Sequence, residues 1–127
     1  MDKDSTVLIS GCSSGIGLAL ARECASRGCK VFATARKPEV IEHLKKEGME
    51  ITALDVTDQK SIDGCVAEVI AKAGKIDVLI NSAGYALIGP VIDLSIEYLR
   101  QQFETNVIGL AALTKAVAPH MIAKCSV

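Results

Sequence analysis

The sequence predicts an α/β fold built on a doubly wound parallel sheet. Short apolar segments of strand length alternate with segments of helical periodicity along the whole chain. Strands of this kind are typical of a parallel sheet that helices cover on both faces. The chain has 127 residues, half of them apolar, which suits a single domain. A glycine-rich segment, GCSSGIG, joins the first strand to the first helix.

The elements follow one another without a linker or a low-complexity stretch. The first strand is predicted over 6–10 and the first helix over 16–26, where Arg27 and Gly28 form a stop signal. The remaining elements are a strand over 30–35, a helix over 38–47, a strand over 49–54, a helix from Thr57 or Asp58 to Gly74, a strand over 76–81 and a long helix from Ser95 to about Ala123. Pro119 is expected to kink the end of the last helix.

A glycine or a polar residue lies at the carboxyl end of each of the four predicted strands. These residues are Gly11, Arg36, Asp55 and Asn81. Right-handed crossovers place the carboxyl ends of parallel strands along one edge of the sheet, and open α/β sheets bind ligands at that edge. Four separate segments therefore predict one binding site.

The glycine-rich segment is suited to hold a phosphate group. Gly11 ends the first strand, and Gly15 and Gly17 remove side chains where a ligand or the helix would need the space. Unpaired N–H groups and the helix dipole favour a dinucleotide diphosphate at such a helix N-terminus, so no lysine is needed in the loop. The spacing GxxxGxG differs from GxGxxG, and an ordinary strand-to-helix turn of small residues is the alternative reading.

The residue after the second strand favours NADP(H) over NAD(H). A carboxylate at this place selects NAD by accepting hydrogen bonds from the ribose hydroxyls. In this chain Arg36 and Lys37 stand there instead. A guanidinium can bind the 2′-phosphate through charge-assisted hydrogen bonds of about 1.5–3 kcal/mol. The alternative is a solvated basic pair at the start of a surface helix.

Two further strand ends offer contacts to a nucleotide. Asp55 is placed to accept the exocyclic amine of an adenine, with Val56 near the ring, although helix capping explains an aspartate here equally well. Asn81 can bridge neighbouring strands with its amide. A flat ligand can lie against the small residues that come next, which are Ser82, Ala83 and Gly84.

The segments SGCSSGIG, LDVTD, NSAG and FETNVIG, in this order and spacing, resemble the short-chain dehydrogenase/reductase family over essentially the whole chain. The resemblance implies a Rossmann-like sheet of strand order 3-2-1-4 whose later strands are missing. It implies contacts to NADP(H) from Gly11, Ser13, Ser14, Gly15, Ile16, Gly17, Arg36, Asp55, Val56, Asn81, Ser82, Ala83 and Gly84. Two positions depart from the family pattern, because Ser10 replaces a threonine and Ser82 replaces a second asparagine.

The resemblance also implies a catalytic role for Asn106, the helix asparagine that helps hold the water serving a catalytic lysine. A polar residue at a helix irregularity is the alternative reading of Asn106. The family continues into a fifth strand with a catalytic serine and then a Tyr-x-x-x-Lys helix. Four positions after the two tyrosines, Tyr85 and Tyr98, stand Gly89 and Gln102 in place of a lysine. Neither tyrosine therefore begins a Tyr-x-x-x-Lys motif.

Residues 1–127 are thus expected to be one NAD(P)-binding Rossmann domain that is truncated before the catalytic serine, tyrosine and lysine. The function implied is NADP(H)-dependent interconversion of an alcohol and a ketone or aldehyde, with the chain alone catalytically incompetent because it lacks the acid for the developing alkoxide. The alternative is a non-catalytic NADP(H)-binding sensor. The fourth strand is expected to present an unpaired apolar edge, which makes the isolated chain marginally stable or self-associating.

Composition restricts the partners. A net charge of −1 gives no attraction to nucleic acid, and neither a signal peptide nor an apolar run long enough to span a bilayer is recognised. Five cysteines without CxxC spacing argue against a metal site or a disulfide framework and fit a reducing compartment. Cys12 is read as a small side chain in the loop, the alternative being a reactive thiol at a helix N-terminus.

The expected substrate is a small alcohol or carbonyl compound, because GCSSGIG together with VFATARK resembles family members that act on lipid-like substrates such as steroids, retinol or acyl-dihydroxyacetone phosphate. The expected location is the cytoplasm, with peripheral association with the endoplasmic reticulum or lipid droplets left open. The helix from Ser95 suits a homo-oligomer contact, and a helix with one core face and one solvent face explains its pattern equally well.

Overall fold

Four parallel strands form the centre of the protein. The structure, a computed structural model, describes residues 2–86 and 88–124. The strands are β1 (Thr6–Ile9), β2 (Lys30–Ala35), β3 (Glu50–Ala53) and β4 (Val78–Ile80), in the order β3-β2-β1-β4. Val7 is in register with Val31 of β2 and Val78 of β4. The predicted α/β class and the strand order 3-2-1-4 are confirmed.

Helices connect the strands and extend beyond the last one. They are α1 (Gly15–Ser26), a 3-10 helix (Pro38–Glu47), α2 (Gln59–Ala73), a 3-10 turn (Val91–Asp93), α3 (Ile96–Phe103), a π-helical segment (Glu104–Gly109) and α4 (Leu110–Ala123). The predicted helix over 38–47 has the expected bounds but is of the tighter 3-10 type. The strand predicted over 76–81 is shorter in the structure, and just before it the Asp77 carboxylate accepts the Thr6 N–H at 2.8 Å.

The sheet has one hydrophobic core on each face. Side chains alternate along β1, so that Val7 and Ile9 face one core and Leu8 faces the other. The first core includes residues of α1 and the 3-10 helix, namely Ala21, Cys24, Ile41 and Leu44. The second includes residues of α2 and α4, namely Ile62, Val66, Val69, Leu113 and Val117. Both faces are therefore covered, as a doubly wound sheet requires.

The last three helical segments form one continuous helix, Ile96–Ala123. Ser95 caps it by accepting the Tyr98 N–H at 3.1 Å. Its length and apolar composition would suffice to cross a membrane, a property that the core helices of globular domains share. Leu113 and Val117 are fully buried on the sheet. The helix continues through Pro119, and its irregularity is the π-helical segment.

Candidate functional site

The loop after β1 approaches the loop after β4 and the start of α1 more closely than any side chain would allow. Gly11 has φ +73°, and a Cβ on it would lie 2.7 Å from Ala83 Cα. A Cβ on Gly17 would lie 2.0 Å from the Gly11 carbonyl oxygen. These contacts require glycine at both positions, and they bring three segments of the chain together at the carboxyl edge of the sheet.

The N-terminus of α1 is open to a ligand. Ser14 is its N-cap residue, and within the described part of the chain its side chain makes no capping hydrogen bond. By contrast, Asp58 and Ser95 cap the helices that follow them. At Gly15 the described atoms leave the space around a Cβ position empty to 4 Å. The first-turn N–H groups of α1 are therefore available to an anion, as a diphosphate site requires.

A buried hydroxyl shapes the floor of this site. Ser10 is 1% exposed, and its Oγ accepts the backbone N–H groups of Ser82 and Ala83 at 3.0 Å each. On the other side of β1, the Thr34 hydroxyl donates to the Ile9 carbonyl at 2.8 Å. Ser10 was predicted only as a mild replacement for threonine, and the structure adds that its hydroxyl joins the loops after β1 and β4.

A cleft of about 460 Å³ lies over these loops. Twelve of the predicted cofactor residues line it: Gly11, Ser13, Ser14, Gly15, Ile16, Gly17, Arg36, Asp55, Val56, Ser82, Ala83 and Gly84. Four lining residues were missed: Ala35, Leu54, Tyr85 and Thr105. All but Thr105 adjoin predicted residues at strand ends, so the strand-end rule could have found them. Thr105 precedes Asn106, and the resemblance could have marked it.

Two charged side chains occupy the outer part of the cleft. Arg36 is exposed directly after β2, and Asp55 is half-buried after β3. The Asp55 Oδ1 accepts hydrogen bonds from the Thr57 hydroxyl at 2.6 Å and the Thr57 N–H at 3.0 Å. The Thr57 hydroxyl, and to a smaller extent Arg36, lower the pKa of Asp55, so it is ionised at neutral pH. Helix α2 is capped by Asp58, which accepts the Lys60 N–H at 3.0 Å.

Asn81 lies outside the cleft lining, and the described hydrogen bond of its amide reaches α4. Its predicted bridge between strands stays a prediction. Its Nδ2 donates to the Thr114 Oγ1 of α4 at 3.2 Å. The Thr114 hydroxyl in turn donates to the Leu110 carbonyl within α4 at 2.8 Å. Asn81 therefore ties the sheet to α4, behind the small residues that line the cleft.

Asn106 lies in the π-helical segment and also outside the cleft lining. Its Oδ1 accepts the Tyr85 N–H at 3.1 Å, and its Nδ2 donates to the Tyr85 carbonyl at 2.6 Å. A Cβ on Gly84 would lie 2.9 Å from the Asn106 Oδ1. The amide thus holds the backbone of the loop after β4. Asn106 thus lies at a helix irregularity, as its alternative reading has it, and its catalytic role stays a prediction.

Cys12 is fully buried, although it belongs to the glycine-rich loop. Its Sγ donates to the Ile9 carbonyl at 3.4 Å, and burial raises the pKa of the thiol to about 11. The thiol is therefore protonated at neutral pH and fills space under the loop. Across residues 2–86 and 88–124, no cluster of three or more His, Cys, Asp or Glu side chains could hold a metal ion.

The parallel sheet and its helices form a Rossmann-like α/β fold, with the cleft at the carboxyl ends of the strands. A family model for short chain dehydrogenases matches residues 5–126. Human retinol dehydrogenase 8 is 40% identical to the chain in an alignment 126 residues long. The matched part is 91% of this chain and 40% of that protein. The chain belongs to the short-chain dehydrogenase family, whose members are oxidoreductases that use nicotinamide cofactors.

Solved structures of the family superimpose closely. A short-chain dehydrogenase from Streptomyces avermitilis gives a TM-score of 0.93 at 36% identity, covering 99% of this chain and 47% of that one. A variant of actinorhodin polyketide ketoreductase with NADPH gives 0.87 at 32% identity, covering 98% and 51%. The chain spans about two fifths of the length of the curated relatives it matches and about half of these two structures.

Proposed function

We propose that the chain forms the NADP(H)-binding part of an oxidoreductase that interconverts an alcohol and a ketone or aldehyde. The observation that carries the proposal is the exposed Arg36 in the same cleft as the uncapped N-terminus of α1. The two features offer one anion site for a diphosphate and a second for a 2′-phosphate. The NADPH in the actinorhodin polyketide ketoreductase structure supports this choice of cofactor.

Different groups of cleft residues would contact different parts of NADP(H). The first turn of α1 would hold the diphosphate through main-chain N–H groups, and Arg36 would hold the 2′-phosphate. Asp55, Leu54 and Val56 would face the adenine, with the carboxylate accepting a hydrogen bond from its amine. The small residues after β4 would lie against the nicotinamide half. When bound, the coenzyme supplies or accepts the hydride.

Titration calorimetry of the 127-residue chain with NADPH and with NADH tests this proposal. The chain is expected to bind NADPH more tightly, because a charge-assisted hydrogen bond to the 2′-phosphate contributes about 1.5–3 kcal/mol, roughly a 10- to 100-fold difference in affinity. Arg36→Gln should remove most of this preference and leave NADH affinity unchanged. The matched control is Lys46→Gln, which removes the same charge from an exposed position outside the described cleft lining.

The results that would contradict the proposal are distinct. Tighter binding of NADH than of NADPH would overturn the assignment of the 2′-phosphate to Arg36. If Arg36→Gln lowered the affinity for NADPH and for NADH by the same factor, the guanidinium would act on the fold or on the diphosphate. Absence of heat with either coenzyme would refute the cofactor site as a whole.

We further propose that the 127-residue chain binds the coenzyme without appreciable turnover. Protonation of the developing alkoxide needs an acid of suitable pKa, and neither tyrosine has a lysine four positions later to supply that environment. Steady-state oxidation of NADPH with a panel of ketones and aldehydes should give no rate above the uncatalysed background. A rate typical of enzymes, about 1 per second or more, would contradict this.

A substrate of low polarity is proposed for the complete active site. The similarity to retinol dehydrogenase 8 supports it, and so does the apolar surface that follows the cleft residue Tyr85, where Ile88 and Ile92 are 94% and 93% exposed. Saturation-transfer NMR on the NADP-loaded chain can compare retinol with a hexose. Transfer to the hexose alone would contradict the proposal.

A further inference from the structure

Helix α1 ends in a motif that brings two cysteines together. Gly28 has φ +86°, its N–H donates to the Ala25 carbonyl at 3.0 Å, and the Cys29 N–H donates to the Cys24 carbonyl at 3.1 Å. These two hydrogen bonds define a Schellman motif. In this motif the side chain of the third-last helical residue, here Cys24, frequently packs against that of the residue after the left-handed glycine, here Cys29.

The backbone places these two residues within reach of a disulfide. The 3.1 Å hydrogen bond and standard bond lengths limit the separation of their Cα atoms to about 7 Å at most. Disulfides join residues whose Cα atoms are roughly 4.4–6.8 Å apart. Cys24 is 2% exposed in the core beneath α1, and Cys29 is half-buried and packs against the same core. The structure shows both as thiols.

We propose that Cys24 and Cys29 form a reversible disulfide when the chain meets oxidised glutathione. The Cys29 thiolate, after losing its proton to solvent, attacks one sulfur of oxidised glutathione, and one glutathione thiolate leaves. Cys24 then loses its proton to solvent, its thiolate attacks the Cys29 sulfur of this mixed disulfide, and the second glutathione thiolate leaves. The two thiols are oxidised by two electrons in total, and one glutathione disulfide is reduced to two thiols.

Exposure sets the order of the two steps. Cys29 is accessible from solvent, and its Sγ contacts the Asp2 carbonyl at 3.6 Å near the start of the chain. Burial raises the pKa of Cys24, so its thiol reacts second, once the mixed disulfide lies beside it. The other described cysteines, Cys12 and Cys65, are buried with pKa values raised to about 11 and about 12, and they are expected to stay reduced.

The disulfide would fix the connection between α1 and β2. Helix α1 begins at the glycine-rich loop, and β2 starts directly after Cys29 and ends just before Arg36. A covalent bridge across this turn restricts local opening of the folded chain and lowers the conformational entropy of the unfolded chain. Oxidation is therefore expected to raise the melting midpoint of the chain, and reduction with dithiothreitol should restore the original value.

Peptide mapping can test the proposal sharply, because trypsin cleaves between the two cysteines. After native oxidation, alkylation and digestion without reductant, the peptide Glu23–Arg27 should be joined to Gly28–Lys30, with two hydrogen atoms fewer in mass than the separate peptides. A Cys125→Ser background removes the cysteine that lies outside the described residues. In Cys24→Ala the expected product is Cys29 carrying glutathione, and in Cys29→Ser neither product should form.

Each outcome decides the question. The joined peptides, together with a reversible rise in the melting midpoint that is lost in Cys29→Ser, support the proposal. Glutathione that stays on Cys29 in the native chain without forming the bridge would overturn it. Bridges that include Cys12 or Cys65 would also overturn it, because the native turn would then not select the pair.

Discussion

Replacement of Gly17 by alanine tests how the glycine-rich loop is built. The new Cβ would lie 2.0 Å from the Gly11 carbonyl oxygen and 2.9 Å from its carbonyl carbon. Both are backbone atoms, so α1 must move by at least about 1 Å to restore contact distances of 3 Å or more. Overpacking of this kind costs about 1–3 kcal/mol, against a typical domain stability of about 5–15 kcal/mol.

The matched control is Gly64→Ala in α2. Gly64 lies in an exposed position of the helix. Apart from the neighbouring backbone of α2, no described atom would lie within 4 Å of a Cβ on Gly64. There alanine should stabilise the chain by about 0.5–1 kcal/mol through helix propensity. Urea unfolding followed by circular dichroism measures both variants. Equal unfolding free energies for Gly17→Ala and the unchanged chain would refute the reasoning about the close approach of loop and helix.

Three further predictions concern single polar groups. Ser10→Ala should lower the unfolding free energy by about 1–3 kcal/mol, since two backbone N–H groups lose their buried acceptor, and Ser10→Thr should largely restore it. Asp58→Ala should cost about 1 kcal/mol through loss of the bond from the Lys60 N–H, and thermal melting with Asp58→Asn as control checks this. The hydrogen bond from the Thr6 N–H, and to a smaller extent Lys75, lowers the pKa of Asp77. The ionised Asp77 therefore stabilises the fold above the ordinary aspartate pKa of about 3.9. This stabilisation is lost as the pH falls through the lowered pKa of the native state. Melting midpoints between neutral and acid pH should therefore fall less steeply in Asp77→Asn, and parallel curves would contradict the effect.

The strands and most of the cleft could be predicted because their signals are local. Apolar segments of strand length separated by helical periodicity determine a parallel sheet, and the crossover rule then places every strand end on one edge. This reasoning predicts that Gly11, Arg36 and Asp55 lie close together, and all three line the cleft.

Contacts between distant segments were not predictable in the same way. The amide of Asn106 holds the backbone of Tyr85, 21 residues earlier, and the resemblance indicated only that Asn106 is special. Asn81 bonds to Thr114 of α4, 33 residues later, and periodicity cannot show such a contact. The 3-10 type of the helix Pro38–Glu47 also escaped prediction, since 3-10 and α helices share similar caps and stop signals.

The central claim is that the first turn of α1 binds a diphosphate while Arg36 binds a 2′-phosphate. Amide chemical shifts in a titration of the isotope-labelled chain with NADP⁺ test it most directly. The largest changes should fall on residues 13–17 and on Arg36, whereas the C-terminal end of α2 around Gly74, which precedes β4, should stay unchanged. Saturation with NADP⁺ that leaves the amides of residues 13–17 unmoved would contradict the account.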